Sequence, residues 1–95
     1  MDQGSPVTVV VKRQVRRGKE KDYEVWLERL IAGAASLPGY LGTNVLRPST
    51  KAGEYTSVFR FDTVEHLLAF EESDLRRRAL SEVEALVEAD AVGRG

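Results

Sequence analysis

The sequence predicts an α+β fold, in which helices cover one face of a small antiparallel sheet. Three observations lead to it. Stretches rich in β-branched and aromatic residues alternate with a period of two, which is typical of strands. Longer stretches repeat apolar residues at helical spacing. Proline and glycine separate these stretches. The resulting order, β-α-β-β-α with a split second helix, is that of a ferredoxin-like fold.

The first half of the chain contains a strand and the clearest helix. The strand is predicted over Val7–Val15, with Val7, Val9 and Val11 on one face. The helix is predicted over Lys19–Ser36. Pro38 and Gly39 end it, because proline cannot continue a helix and glycine permits a sharp reversal. Its buried stripe consists of Tyr23, Trp26, Leu27, Leu30, Ile31 and Ala34.

Two further strands are predicted to pair as an antiparallel hairpin. They span Tyr40–Arg47 and Glu54–Phe61, and residues 48–53 form a polar turn between them. Alternation on the first of these strands predicts two faces. Leu41, Thr43 and Val45 share one face, and Tyr40, Gly42, Asn44 and Leu46 share the other.

The second helix is predicted in two parts. Asp62 is the expected N-cap of the first part, with Glu65 completing a capping box. Val64, Leu67, Leu68 and Phe70 are expected to point inward. Ser73 gives a second cap signal, and the next helix is predicted over Leu75–Ala89. Residues 90–95 then leave too little chain for a full fourth strand. We expect one domain over residues 1–95, with flexible ends at 1–6 and 90–95.

Composition excludes several function classes. The formal net charge is −1, which gives no general attraction to nucleic acid or acidic membranes. The chain has no cysteine and one histidine, so no metal site is predicted. No apolar stretch approaches the ~20 residues that cross a bilayer, and no signal-peptide pattern opens the chain. A cytoplasmic location fits these features.

Both faces of the predicted sheet carry apolar residues. Val10 lies opposite the valine face of the first strand, and Val58 lies opposite Phe59 on the third. Two helices can cover only one face of such a sheet. We therefore expect a homodimer whose subunits pack through their uncovered sheet faces.

The chain resembles the antibiotic biosynthesis monooxygenase family, which belongs to the dimeric α+β barrel proteins. The resemblance extends over about residues 7–88. It rests on Val7–Val11, Gly18–Glu20, Trp26, Leu37–Gly42, Val45–Pro48, Phe59–Thr63, and Ser73 with Arg76.

The resemblance implies a barrel closed by two sheets across a dimer, with a pocket in each subunit between sheet and helices. It implies an aromatic or quinol substrate that activates oxygen itself, without flavin, metal or haem. The chain departs from the family pattern in two places. The usual fourth strand is short or missing, and Phe70 stands where the family often has tryptophan.

Several residues are candidates for binding a substrate anion. Asn44, Arg60 and His66 are the candidate catalytic residues; Tyr23, Trp26, Tyr40, Tyr55 and Phe59 are the candidate pocket residues. Each has a structural alternative. Asn44 suits an interface amide, Arg60 a surface ion pair, and Trp26 with Tyr23 a plain aromatic core.

Two functions follow from these residues. The first is a cofactor-independent monooxygenase acting on an aromatic or quinol-type molecule. The alternative is a non-catalytic dimeric module that binds a ligand or supports assembly on the same fold.

Overall fold

The computed structural model describes residues 5–48 and 53–94, with residues 89–94 described by their backbone alone. The predicted turn falls partly on residues 49–52, outside the described residues, as do positions 1–4 and 95 of the predicted flexible ends. The elements are β1 (Val7–Val15), α1 (Glu20–Ala34), β2 (Tyr40–Leu46), β3 (Glu54–Phe61), α2 (Val64–Glu71), α3 (Asp74–Val83) and β4 (Val87–Arg94).

The four strands form one antiparallel sheet in the order β2-β3-β1-β4. β1 is paired on both sides. It meets β3 from Val7 opposite Phe61 to Gln14 opposite Glu54. This arrangement confirms the predicted ferredoxin-like α+β fold.

The end of the chain differs from the sequence expectation. α3 stops at Val83, and residues up to Ala89 do not continue it as predicted. A strand, β4, begins at Val87 and pairs with β1 out to Val9 opposite Arg94. Residues 90–94 therefore belong to the sheet. The residues around Leu86 have good helix propensity, but pairing with the open edge of β1 satisfies their backbone groups instead.

One core lies between the sheet and the helices. Val9 and Val11 are buried on the inward face of β1, as the alternation predicted, and Val7 on the same face is partly buried. Val15 is buried as well. The predicted stripe of α1 is confirmed, with Ile31 partly buried and the rest fully buried. On α2, Leu67 and Phe70 are buried. The expectation for Val64 and Leu68 was wrong, because they are 52% and 38% exposed on the outer side of this short helix.

A β-bulge changes the predicted faces of β2. Tyr40 pairs with Phe61, and Gly42 pairs with Arg60, the residue directly before Phe61 in β3. Leu41 is therefore an extra residue in β2 with no partner of its own in the register. A bulge of this kind reverses the alternation at one point. Tyr40 therefore lies on the same face as Thr43, with which its hydroxyl shares a hydrogen bond. The prediction that Tyr40 shares a face with Gly42 and Asn44 was wrong.

The helix caps are partly as expected. Ser73 caps α3 by accepting a hydrogen bond from the backbone N–H of Arg76, which confirms the second cap signal. The N-cap of α2 is Thr63, whose hydroxyl accepts from the N–H of His66. Asp62 was predicted for this role. It lies one residue earlier and binds the His66 side chain instead.

In the part of the chain that the structure describes, no helix combines the length and apolar content needed to span a bilayer.

Candidate functional site

A small cavity lies between the sheet and all three helices. Its volume is about 20 Å³, enough for a single water molecule. Its walls come from β1, β3, α1, α2 and α3. The lining residues are Val9, Val11, Arg13, Leu30, Phe59, Phe70, Glu71, Arg76 and Leu80.

Arg13 is the charged residue that β1 places in this layer. It continues the inward alternation of Val9 and Val11, and its side chain is only 3% exposed. Its guanidinium carbon lies 5.2 Å from the centre of the Trp26 ring. A guanidinium against an aromatic face gains cation–π attraction, and this is stronger where water is excluded. Arg13 is therefore held in the interior by the aromatic residue that α1 supplies.

Trp26 is fixed from a second side. Its indole N–H donates to the backbone carbonyl of Ala79 on α3 at 2.8 Å. Its ring also lies 5.4 Å from that of Tyr23, which in turn lies 4.8 Å from Tyr55. This network joins α1, α3 and β3 around the guanidinium, so Trp26 has little freedom to turn away from Arg13.

The opposite side of the cavity is aromatic. Phe70 of α2 stacks on Phe59 at 5.5 Å and on Phe61 at 5.2 Å between ring centres. All three are buried. Stacked rings present flat apolar surfaces, which suit contact with another aromatic ring.

Glu71 and Arg76 close the cavity at the junction of α2 and α3. Both are half-buried, and an Arg76 guanidinium N–H donates to the backbone carbonyl of Glu71 at 3.3 Å. Glu71 is the acidic group among the described lining residues, and Arg13 and Arg76 are the basic ones. The cavity therefore combines apolar walls with groups that can hold a proton or an anion.

Two adjoining grooves run outside the cavity, between α1 and α3. Their volumes are about 290 Å³ and 330 Å³, and both are lined by Trp26, Arg29 and Glu82. Leu30 lines both the groove of about 290 Å³ and the inner cavity. Leu30 therefore separates the buried cavity from the solvent-filled groove.

A separate polar cluster joins α1 to the hairpin. The Tyr55 hydroxyl donates to Glu24 at 2.6 Å, and the Arg47 Nε donates to the same carboxylate oxygen at 3.4 Å. The Tyr55 hydrogen bond, with help from Arg47 and against the effect of burial, lowers the pKa of Glu24. Burial and the bond to Glu24 raise the pKa of Tyr55 to about 12.

These shifts predict a pH effect on stability. An unfolded tyrosine ionises near pH 10, whereas Tyr55 in the folded protein stays neutral to about pH 12. The stabilisation that this raised pKa gives the folded protein is complete below about pH 10, and it is lost as the pH rises from about 10 to about 12. We expect Tyr55→Phe to lower the free energy of unfolding by about 1.5 kcal/mol at pH 7, since a hydrogen bond to a charged group is lost. Tyr55→Phe should also make the free energy of unfolding fall less steeply with pH above about pH 10.

Urea unfolding at pH 7 and at several values between about 9 and 11.5 measures both effects. Tyr40→Phe is the matched control, because it removes a hydroxyl and leaves Tyr55 in place. An unchanged alkaline slope in Tyr55→Phe would contradict the prediction.

His66 forms a pair with Asp62 at the start of α2. Its Nδ1 lies 2.6 Å from the Asp62 carboxylate, and both side chains are roughly two-fifths exposed. Gly39 packs directly beneath the pair, and its carbonyl accepts from the N–H of Asp62 at 2.9 Å. The pair joins the α1–β2 turn to α2. His66 does not line the cavity.

The structure brings only some of the predicted site residues together. Phe59 lines the cavity, and Trp26 contacts its arginine. Tyr23 and Tyr55 belong to the adjoining buried network, and the Tyr23 hydroxyl has no hydrogen-bond partner among the described residues. Tyr40 lies further along the sheet, in edge contact with Phe61.

Asn44 and Arg60 lie elsewhere. Both are exposed, and the β2–β3 register places them on the sheet face that the helices leave uncovered. Arg60 pairs across the strands with Gly42, and Asn44 with Val58. The structure therefore separates these two residues from the cavity by the thickness of the sheet.

Sequence reasoning missed the cavity's charged residues. The signal for Arg13 was present, because it stands two residues after Val11 and two before Val15 on the inward face. The signal for Glu71 and Arg76 was weak, since both sit in a mixed-charge stretch that is typical of a solvated helix surface. Among the described residues, no cluster of three or more acidic or histidine side chains could hold a metal ion.

The comparison with known families agrees with the fold. The antibiotic biosynthesis monooxygenase family matches residues 6–82. The chain belongs to this family. No curated protein sequence matches it.

Several solved structures share the fold of this chain. SnoaB, a cofactor-independent oxygenase from Streptomyces nogalater, superposes with a TM-score of 0.86 at 20% identity, over 96% of this chain and 91% of SnoaB. A conserved protein from Methanosarcina mazei gives 0.87 at 15% identity, over 96% and 91% of the two chains. A protein of unknown function from Bacteroides thetaiotaomicron gives 0.85 at 15%, over 97% of each. At these identities the likeness shows the fold of the family, and the chemistry has to be argued from this chain's own residues.

Proposed function

We propose that this family member is a cofactor-independent oxygenase that acts, as a homodimer, on a small aromatic or quinol-type molecule bound between the sheet and the helices. The observation that carries the proposal is the position of Arg13. It lines a cavity whose other walls are largely aromatic and aliphatic.

The lining residues suit the chemistry that oxygenation without a cofactor requires. Such a substrate must first lose a proton, so that the resulting anion can transfer electrons to oxygen. The Glu71 carboxylate is the group in the cavity that accepts this proton, and Arg13 stabilises the anion. Overall, a CH₂ group of the substrate and O₂ give a carbonyl and water. The substrate supplies all four electrons, and no external reductant is needed.

Substrate binding requires the cavity to open. Its volume of about 20 Å³ is far below the roughly 150 Å³ that accommodates benzene in an apolar protein cavity. Leu30 separates it from the groove between α1 and α3. We therefore propose that the substrate enters through this groove and displaces the Leu30 side chain.

Oxygen uptake with a panel of hydroquinones and naphthols tests the proposed activity. We expect wild-type protein to consume oxygen and to form an oxygenated product, and Glu71→Gln to lose most of this rate. Asn44→Ala, Arg60→Ala and His66→Ala test the residues that the sequence suggested. Oxygen consumption no faster than in protein-free buffer across the panel would count against an enzyme.

A non-catalytic ligand-binding or assembly module is the second candidate. The small cavity favours it, because Phe59 and Phe70 occupy space that a substrate would need. Tight binding of an aromatic ligand without oxygen uptake would select this function.

The uncovered sheet face supports the proposed homodimer. Leu46 is 60% exposed there, and Val10 and Val58 are adjacent on neighbouring strands and only half-buried. An apolar sheet face of this kind is normally covered. We expect sedimentation of a dimer at about 50 μM protein and of a monomer for Val58→Lys. A wild-type monomer at that concentration would refute the dimer.

A further inference from the structure

The two halves of α3 are anchored differently. The second half holds the helix in the core, because Ala79 and Val83 are buried and the Trp26 indole N–H donates to the Ala79 carbonyl. In the first half, all of which the structure describes, no residue is fully buried, and only Leu75 and Arg76 are half-buried. A segment with few buried apolar side chains opens more readily than the rest of a protein. The first half of α3 is therefore the part of this helix that moves most easily.

The polar contacts of this half are local. The segment Glu72–Arg78 comprises the first half of α3 and the two residues that connect it to α2. Arg77 pairs with Asp74 at 2.9 Å, and the Arg76 guanidinium donates to the backbone carbonyl of Glu71. Among the described residues, none of the hydrogen bonds or ion pairs of the segment reaches α1 or the sheet. Movement of the segment away from α1 therefore breaks no hydrogen bond to α1.

An apolar contact joins the segment to α1. Leu75 lies over Gly33, so closely that a Cβ at position 33 would lie 2.7 Å from Leu75 Cδ1. Leu75 and Leu30 line the groove of about 290 Å³. Leu30, Arg76 and Leu80 line the inner cavity. The segment therefore stands between the groove and the cavity, and Leu75 on Gly33 is its contact with α1.

We propose that Glu72–Arg78 is a lid, which moves away from α1 and joins the groove to the inner cavity. Ala79 is its pivot, and Leu75 on Gly33 is its closing contact. The inference rests on the proposed function in one respect, the entry of a small molecule into the cavity. The cavity of about 20 Å³ is too small for an aromatic ring, whereas groove and cavity together exceed the roughly 150 Å³ that accommodates benzene. The open lid also provides space for the Leu30 side chain to move.

A reversible disulfide tests the lid. The chain has no cysteine, and Leu75 Cγ lies 3.4 Å from the position of a Cβ at residue 33. Gly33→Cys combined with Leu75→Cys therefore brings two thiols close enough for a disulfide. We expect oxidation of this double variant to weaken benzene binding at least about tenfold in an NMR titration, and dithiothreitol to restore it. Wild type is the control for the reagents, because neither of them should change its benzene binding.

Hydrogen exchange reports the opening without any ligand. The backbone amides of Arg77 and Leu67 are matched, because each donates to the carbonyl of its helix N-cap, Ser73 and Thr63. After correction for intrinsic rates, we expect the Arg77 amide of wild type to exchange at least about tenfold faster than the Leu67 amide. Helix length predicts the opposite order, since α3 has ten residues and α2 has eight. The wild-type measurement tests the lid even if the double variant does not fold or oxidise.

Three results would each overturn the lid. The first is benzene binding of equal strength by the oxidised and the reduced double variant. The second is no benzene binding by the reduced double variant. The third is equally slow exchange of the Arg77 and Leu67 amides in wild type.

Failure of the proposed function gives a different result. Benzene binding that the disulfide blocks, without oxygen uptake from any hydroquinone or naphthol, would leave the lid in place and remove the oxygenase. Oxygen uptake that continues unchanged in the oxidised double variant would remove the lid and leave the oxygenase.

Discussion

Gly39→Ala is expected to lower the free energy of unfolding by about 3 kcal/mol. Gly39 has a φ of +80°, where a residue with a Cβ costs about 1–2 kcal/mol. The added methyl would also overlap the side chains of Asp62 and His66. Relief of this overlap requires the Asp62–His66 pair to separate or the turn to shift, which weakens the bond from the Asp62 N–H to the Gly39 carbonyl.

Gly18→Ala is the matched control for this substitution. Gly18 has nearly the same φ, +86°, but nothing lies within 4 Å of the position its Cβ would take. It should therefore show only the conformational cost, about 1 kcal/mol. Urea unfolding of the two variants measures the difference. Equal losses would show that the contact between Gly39 and the Asp62–His66 pair contributes nothing to stability.

Trp26→Ala is expected to cost about 3–5 kcal/mol of stability, the range for removing a buried aromatic side chain. Trp26 is 3% exposed, and three contacts depend on it: the stack on Arg13, the bond to Ala79 and the contact with Tyr23. Its loss leaves a cavity and removes one wall of the arginine's site. Thermal and urea unfolding, followed by circular dichroism, measure the effect.

Trp26→Phe separates packing from hydrogen bonding. It keeps an aromatic face against Arg13 and loses the N–H that reaches Ala79. We expect a cost of about 1–2 kcal/mol. A loss as large as that of Trp26→Ala would place most of the stabilisation in the single hydrogen bond and contradict the packing argument.

The position of His66 explains why the turn between α1 and β2 requires glycine at position 39. The turn through Gly39 lies against the Asp62–His66 pair, so the same contact that restricts residue 39 orients the histidine toward Asp62. In this geometry His66 links two elements of the fold. Its catalytic role stays a prediction, and His66→Ala in the oxygen-uptake assay tests it.

The sequence alone determined most of the fold. Alternation in Val7–Val15 and Glu54–Phe61 reproduced β1 and β3, because strands half-covered by a core carry a period of two. The apolar stripe of α1 and the cap at Ser73 are local signals of the same kind. They also sufficed for the family resemblance, which the match over residues 6–82 confirms.

The tertiary structure decided the features that depend on distant partners. β4 exists because β1 offers an open edge, a condition that no local stretch around Val87 encodes. The bulge at Leu41 reverses the face of Tyr40, because a single extra residue in one strand is defined only against its partner.

The candidate site shows the same division. Phe59 and Trp26 were found from the sequence because their apolar pattern already placed them inside. Asn44 and Arg60 were chosen for their chemistry, but the sheet holds them on its uncovered face. Arg13 was overlooked, although its spacing after Val11 placed it inside. Trp26, eleven residues beyond β1 and on another element, supplies a ring contact that helps to stabilise this charge. The sequence fixes which residues face inward, and the packing of α1 and α3 on the sheet determines that one of them can be an arginine.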